Sequence, residues 1–160
     1  MSAHLHETFP FLVNRVAARM TDAVNKQFRP LGLNVFGARV LILLFLDDAR
    51  TVGELAERAA LDQSTLSHIL RRLERLGYLS KQRQEHDNRS VMVSLTKKGR
   101  RAAQTCWQAA QAHDALLTQG LSGAQKNALK TALDRLYENV PDFQAGVDGT
   151  VKRVPTRNVR

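Results

Sequence analysis

Between Gln63 and Arg89 the chain gathers side chains that exchange hydrogen bonds and neutralise negative charge. Gln63, Ser64, Thr65, Ser67 and His68 offer amide, hydroxyl and imidazole groups in quick succession. Arg71, Arg72 and Arg75 come next, then Lys81 and Arg83, then Asp87 and Arg89. Short polar groups that both donate and accept suit the edges of bases, whereas guanidinium and ammonium groups suit phosphates. The chemistry expected is therefore recognition of a polyanion rather than bond making.

Reaction chemistry has little to build on. The chain has no Gly-rich phosphate loop, nucleophile elbow or His-Glu-x-x-His pattern. His4 and His6 fall in a terminal segment, His68, His86 and His113 are dispersed, and Cys106 is the single cysteine. No metal cluster is expected from that distribution, no cofactor is implied, and the chain is not expected to be an enzyme. Isolated Ser, His and Asp residues could converge in space; saturable, sequence-dependent duplex binding is what discriminates a DNA reader from such a catalyst.

The polar residues need elements to position them. In the helix expected from Asp62 to Leu76, Leu66, Ile69, Leu70, Leu73 and Leu76 form one apolar stripe. Ser64, His68, Arg71 and Arg75 lie opposite, with Ser67 and Arg72 at the margins. Taken alone, this is equally an ordinary amphipathic surface helix. The adjoining segment tips the balance. Leu79–Arg83 and Val91–Leu95 have strand character, with Val91, Val93 and Leu95 inward and Met92 and Ser94 outward. Gln84 to Ser90 between them is wholly polar and holds Asp87-Asn88-Arg89, which has turn chemistry. A hairpin this small must lean on helices.

Upstream, a helical stripe runs from Leu5 to Phe28 and ends near Arg29-Pro30-Leu31-Gly32. Asn34 can cap a second, largely apolar and hence buried helix through Leu46. Thr51-Val52-Gly53-Glu54 matches a capping box opening a short helix. The spacing of that helix from the one at Asp62 is helix-turn-helix spacing. Downstream, Thr96 can cap a long helix that ends at Gly120, and Ser122-Gly123-Ala124-Gln125 is a second capping box before a helix stopped by Pro141. Beyond Phe143 no period is visible, so residues 144–160 are expected to be a basic tail or arm.

The net charge of +9 is unevenly placed. Arg71 to Arg101 holds ten basic and three acidic residues, and Lys152 to Arg160 four basic and none acidic, whereas Met1 to Leu70 balances at seven each. Basic residues gathered on one local unit favour a polyanionic partner over a merely solvated face. At 160 residues the chain can bury roughly 70% of its unfolded surface without staples. One cysteine, no secretory pattern in Met1–Pro10, and a longest apolar run of only Val40–Leu46 lead us to expect a cytoplasmic protein with no membrane partner.

The order of two helices, a helix-turn-helix, a charged wing and two terminal helices resembles the MarR family of bacterial transcription regulators over Leu5 to Val140. The specific elements are Asp87-x-Arg89 followed by Leu95-Thr96-x-x-Gly99, supported by Leu61-x-x-Ser64-Thr65-Leu66-Ser67 and Leu73-Glu74-x-Leu76-Gly77-Tyr78. The resemblance implies a mainly α fold with a β-hairpin wing. Residues 34–99 would form a winged helix-turn-helix DNA-binding region, and 1–33 with 100–143 a helical dimerisation region. It implies a homodimer on double-stranded DNA, the Asp62 helix in the major groove and the wing along the minor groove. Arg89 would enter the minor groove, with Asp87 holding the wing's basic groups in place. Half-sites about 10 base pairs apart would suit such a dimer.

Many members of that family are repressors released by a small aromatic or phenolic anion bound between the dimerisation helices and the DNA-binding lobe. The resemblance puts Arg15, Arg19 and Arg39 near that cleft, with Trp107 or His113 in its wall; the commoner role for each is a surface ion pair or a packed aromatic. Peroxide-sensing members use a cysteine in the first helix, where this chain has none, and Cys106 has the setting of a packed thiol. Two alternatives stay open beside the specific regulator. One is a sequence-tolerant, nucleoid-like DNA binder using the wing and tail, the other a thiol-based redox-sensing regulator.

Overall fold

The computed structural model describes residues 4–48, 50–84, 87–139, 143–145 and 151–153, with the backbone alone for 83–84, 87–90, 143–145 and 151–153. The chain divides into two compact units, Met1–Ala112 and His113–Arg160. In the first, a short 3-10 turn, Leu5–Glu7, precedes α1 (Phe9–Phe28); a second such turn, Arg29–Leu31, leads to α2 (Val35–Leu46). Next come β1 (Arg50–Thr51), α3 (Val52–Ala59), α4 (Gln63–Arg75), β2 (Leu79–Gln84), β3 (Asp87–Leu95) and α5 (Lys97–Leu117). The second unit begins within α5 and contains α6 (Gly123–Asn139) and the antiparallel pair β4 (Phe143–Ala145) and β5 (Val151–Arg153).

The helix starts obey the capping chemistry. The Asn34 side chain accepts the Gly37 amide at 2.9 Å, and Thr51 with Glu54 closes a reciprocal capping box. Thr96 Oγ1 accepts the Gly99 amide at 3.0 Å, and Ser122 with Gln125 exchanges bonds of 2.8 and 3.3 Å. Asn25 adds a tie between elements, accepting the Val35 amide at 2.8 Å and so joining α1 to the start of α2.

The core of the first unit forms where apolar faces meet. Val40, Leu41 and Leu44 of α2, Leu55 of α3, Leu66, Leu70 and Leu73 of α4, and Val93 of β3 are fully buried. Each such side chain contributes about 1.5–3 kcal/mol on leaving water. The buried face of α5 is made of small residues, Gly99, Ala102, Ala103, Cys106 and Ala109, so the helix backbone approaches the core closely. Gly77, in left-handed conformation at φ +74°, ends α4: its amide donates to Glu74 and that of Tyr78 to Leu73, turning the chain into β2.

The strands depart from the sequence expectation in several ways. Its order is β1-β3-β2, all antiparallel, because Arg50 and Thr51 pair with Val93 and Met92. Met92, expected to face outward, is half-buried. Two residues are too short for a period to show, so β1 left no signature. The wing strands are also longer than expected. Asp87, Asn88 and Arg89 lie in β3 rather than in the turn, and a bulge between Arg83 and Gln84 absorbs the offset. Polar residues suit a solvated ladder as well as a turn, so composition did not separate the two. Finally, part of the tail expected to lack regular structure pairs as β4 and β5. Three-residue strands carry too little pattern to detect. No single helix among the described residues is long and apolar enough to cross a membrane.

Candidate nucleic-acid interface

The turn from α3 into α4 is tight. Ala60 takes a left-handed conformation at φ 51°, and the amides of Ala60 and Leu61 return to the carbonyls of Glu57 and Ala56. Asp62 then caps α4, accepting the Thr65 amide at 2.8 Å, the Thr65 hydroxyl at 2.6 Å and the Ser64 hydroxyl at 2.7 Å. These bonds, led by the Thr65 hydroxyl, hold the Asp62 carboxyl well below the usual carboxylate range. The first turn of α4 is therefore pre-set before any partner arrives.

With Leu66, Leu70 and Leu73 buried, α4 turns its other face outward. Gln63, Ser64, Ser67 and His68 are exposed there, whereas Thr65 is half-buried. His68 Nδ1 lies 3.1 Å from an Arg71 guanidinium nitrogen, and Arg71 Nε reaches the Ser67 carbonyl at 3.4 Å. Arg75 is exposed further along the same helix. Two expected phosphate contacts have structural partners. Arg72 donates to the Gly32 carbonyl at 2.8 Å, and Lys81 pairs with Glu74 at 2.7 Å. Arg72 and the Tyr78 hydroxyl, which donates to the Leu31 carbonyl at 3.0 Å, together anchor α4 to the turn after α1. Sequence reasoning named Tyr78 within a motif but missed this contact, whose partner is 47 residues away. A cavity of about 220 Å³ opens beside this anchor, between Asn34, His68, Ile69 and Arg72.

The wing places Arg83 opposite Val91 and Gln84 opposite Asp87 along the backbone. The side chains of Arg83, Asp87 and Arg89, like residues Glu85 and His86, lie outside the described residues. At the wing base, Thr96 donates to the Gly77 carbonyl at 2.6 Å and Lys98 to that of Leu76 at 2.7 Å. The Lys98 ammonium sits 5.0 Å from the Tyr78 ring centroid. The end of the helix, the start of the wing and α5 are thus fastened at one point.

The candidate ligand residues are not brought to one place in the first unit by any described bond. Arg15 and Arg19 are exposed on α1. Arg39 donates to the Ala59 carbonyl at 2.9 Å, capping α3, and lies 5.8 Å from the Phe36 ring centroid. Trp107 and, in the second unit, His113 are half-buried. Cys106 is fully buried, and burial pushes its thiol up to about 11. Among the described residues no group of three or more His, Cys, Asp or Glu side chains could hold a metal ion.

Comparison with known proteins agrees with this architecture. The family model "Transcriptional regulator SarA/Rot" matches residues 24–105, just over half the chain. The organic hydroperoxide resistance transcriptional regulator of Bacillus subtilis is 38% identical over 93 residues; the match spans 56% of this chain and 60% of that protein, short of its full length. A MarR-family transcriptional regulator from Silicibacter pomeroyi superposes with a TM-score of 0.73 at 28% identity, over 86% of this chain and 92% of its own. A cysteine-to-serine mutant of E. coli MarR, solved with operator DNA, gives 0.73 at 25% identity, over 84% and 99%. These relatives are regulators rather than enzymes, and the chain belongs to the SarA/Rot family of transcriptional regulators, with the winged-helix fold of the MarR type.

Proposed function

We propose that this protein is a dimeric regulator that binds a pseudopalindromic operator sequence-specifically and represses transcription by occupying it. The observation that carries the proposal is α4, buried on one face by Leu66, Leu70 and Leu73 and bare on the other, with Gln63, Ser64, Ser67 and His68 exposed ahead of Arg71 and Arg75. Small hydrogen-bonding groups early and cations late suit base edges and flanking phosphates in turn. Thr65 supports them from its half-buried position. Lys81, Arg83 and Arg89 supply cationic character to the wing, with Asp87 ordering it. The E. coli relative solved with operator DNA supports the same mode of use.

Residues 34–99 carry DNA binding, and 1–33 with 100–143 carry dimerisation. Phe9, Val13, Val16 and Met20 on α1 leave apolar surface in water, as Leu129, Leu133 and Leu136 do on α6. Covering such stripes is what a symmetric partner does. The basic segment 144–160 serves as a tail or arm. A small aromatic anion releases the dimer from its operator, with Arg15 and Arg19, both exposed, as its cationic contacts, and Arg39, Trp107 and His113 as accessory ones. The burial of Cys106, which also pushes its thiol up, weighs against an oxidant as the signal.

The test is fluorescence-anisotropy binding to the duplex upstream of the protein's own gene, and to duplexes selected from a random pool, each against a scrambled duplex across a salt series. A preference of about a thousandfold or more at physiological salt supports a specific regulator. Equal affinities with equally steep salt slopes for every duplex would instead identify a general DNA binder. Sedimentation equilibrium checks the dimer, and titration with aromatic acids in the presence of operator checks the effector.

A further inference from the structure

The first turn of α4 carries a directional constraint on base recognition. Asp62 receives the Ser64 hydroxyl at 2.7 Å and the Thr65 hydroxyl at 2.6 Å. An ionised carboxylate only accepts hydrogen bonds, so in both contacts the hydroxyl is the donor. A serine hydroxyl has one proton and two lone pairs; at Ser64 the proton is committed and only lone pairs face solvent. Thr65 is engaged in the same way and half-buried, which makes it part of the cap. Ser64 is exposed, one residue into the helix, at the end that a recognition helix turns toward base edges.

Resting on the DNA-binding function proposed above, we infer that Ser64 meets the duplex as a hydrogen-bond acceptor and selects an exocyclic amino group, adenine N6 or cytosine N4, at one position of each half-site. In the major groove these amino groups are the donors, whereas guanine O6 and N7 and thymine O4 are acceptors. Phosphate oxygens are acceptors as well. Against any of those, Ser64 would set lone pair against lone pair unless it gave up a charge-assisted bond to Asp62. The Asp62 charge beside it acts in the same sense, attracting amino hydrogens and repelling phosphate. A serine at the start of a recognition helix would otherwise be a neutral reader, able to donate or accept; Asp62 removes half of that choice.

The experiment pairs a protein change with deletion of single base atoms. On a duplex recovered by selection with the full chain, each adenine of a half-site is replaced by purine and each cytosine by 2-pyrimidinone, which lack the amino group. Affinities are measured by anisotropy for the wild type and for Ser64→Ala, a helix-favouring change at an exposed site whose folding is checked by circular dichroism. We expect one position at which losing the amino group costs the wild type about tenfold, the scale of one hydrogen bond in the groove. There Ser64→Ala should bind amino and amino-free duplexes within about twofold. Ser64→Thr, which keeps the hydroxyl, should retain the discrimination. The inference is overturned if the sensitivity removed by Ser64→Ala belongs to guanine or thymine, if Ser64→Ala weakens all duplexes alike, or if it alters no position. Failure of the wild type to prefer any duplex would remove the DNA-reading function itself, and this inference with it.

Discussion

Replacing Gly99 by alanine tests how tightly the end of α4, the wing and α5 are joined. A Cβ at Gly99 would fall deep inside the contact radius of the Tyr78 carbonyl oxygen, 2.8 Å from its carbonyl carbon and 3.1 Å from its Cα. All three are backbone atoms, so no rotamer change relieves the overlap. Either α5 lifts or the Gly77–Tyr78 turn retreats. The bonds at that seam are Thr96 amide to Tyr78 carbonyl at 3.0 Å, Thr96 hydroxyl to Gly77 carbonyl at 2.6 Å, and Lys98 to Leu76 carbonyl at 2.7 Å. Overpacking costs about 1–3 kcal/mol and each lost bond about 1 kcal/mol, so losing one or two gives about 3–4 kcal/mol in all. With an m-value of about 2 kcal/mol/M, the urea midpoint of Gly99→Ala should fall by about 1.5–2 M. Gly53→Ala is the control, because a Cβ there has no neighbour within 4 Å. In the first turn of α3 it should leave the midpoint unchanged or raise it by up to about 0.5 M, since alanine costs the helix less entropy. A loss below about 1 kcal/mol for Gly99→Ala, or equal midpoints for the two variants, would refute the close-approach argument.

Asp62 has a folded-state pKa below its ordinary value of 3.8, so its ionised form contributes stability above that value, and the contribution is lost as pH falls from about 4 toward the lower folded value. Urea midpoints should therefore drop more steeply below pH 4 in the wild type than in Asp62→Asn; parallel profiles would contradict the cap network. Arg75→Ala should reduce the log-log salt slope of duplex binding by about 1 per protomer. Arg72→Ala, whose guanidinium holds the Gly32 carbonyl, should leave that slope nearly unchanged and cost about 1 kcal/mol of stability instead. Ala60→Gly relieves a left-handed alanine and should raise stability by up to about 1 kcal/mol, after the greater flexibility of unfolded glycine is subtracted. Cys106, buried with its thiol near 11, should react with a chromogenic disulfide reagent only as fast as the protein opens, and hydroperoxide should leave the Cys106→Ala and wild-type proteins equally able to hold operator.

Local chemistry was legible in the residues alone. Asn34, Thr51 with Glu54, Thr96, and Ser122 with Gln125 each cap a helix through a partner three residues on. Bonds of that span are dictated by helix geometry whatever the rest of the chain does. The leucines of α4, recurring three and four apart, likewise identified its buried face, and hence the polar face opposite, from the helical period. The order of elements then made the winged helix recognisable. Which polar groups are free to meet a partner was decided by the fold. Arg72 looked like a phosphate ligand until the turn at Gly32, 40 residues earlier, came within 2.8 Å of it. Tyr78 meets Leu31, β1 adds to β3 with Thr51 opposite Met92, and Gly99 accepts the Tyr78 backbone against its Cα. Those contacts join distant segments through strand pairing and close packing, and neither leaves a period or spacing along the chain: where helices begin and which face they bury follows from neighbouring residues, whereas the side chains spent on holding the site together emerge only once distant segments meet.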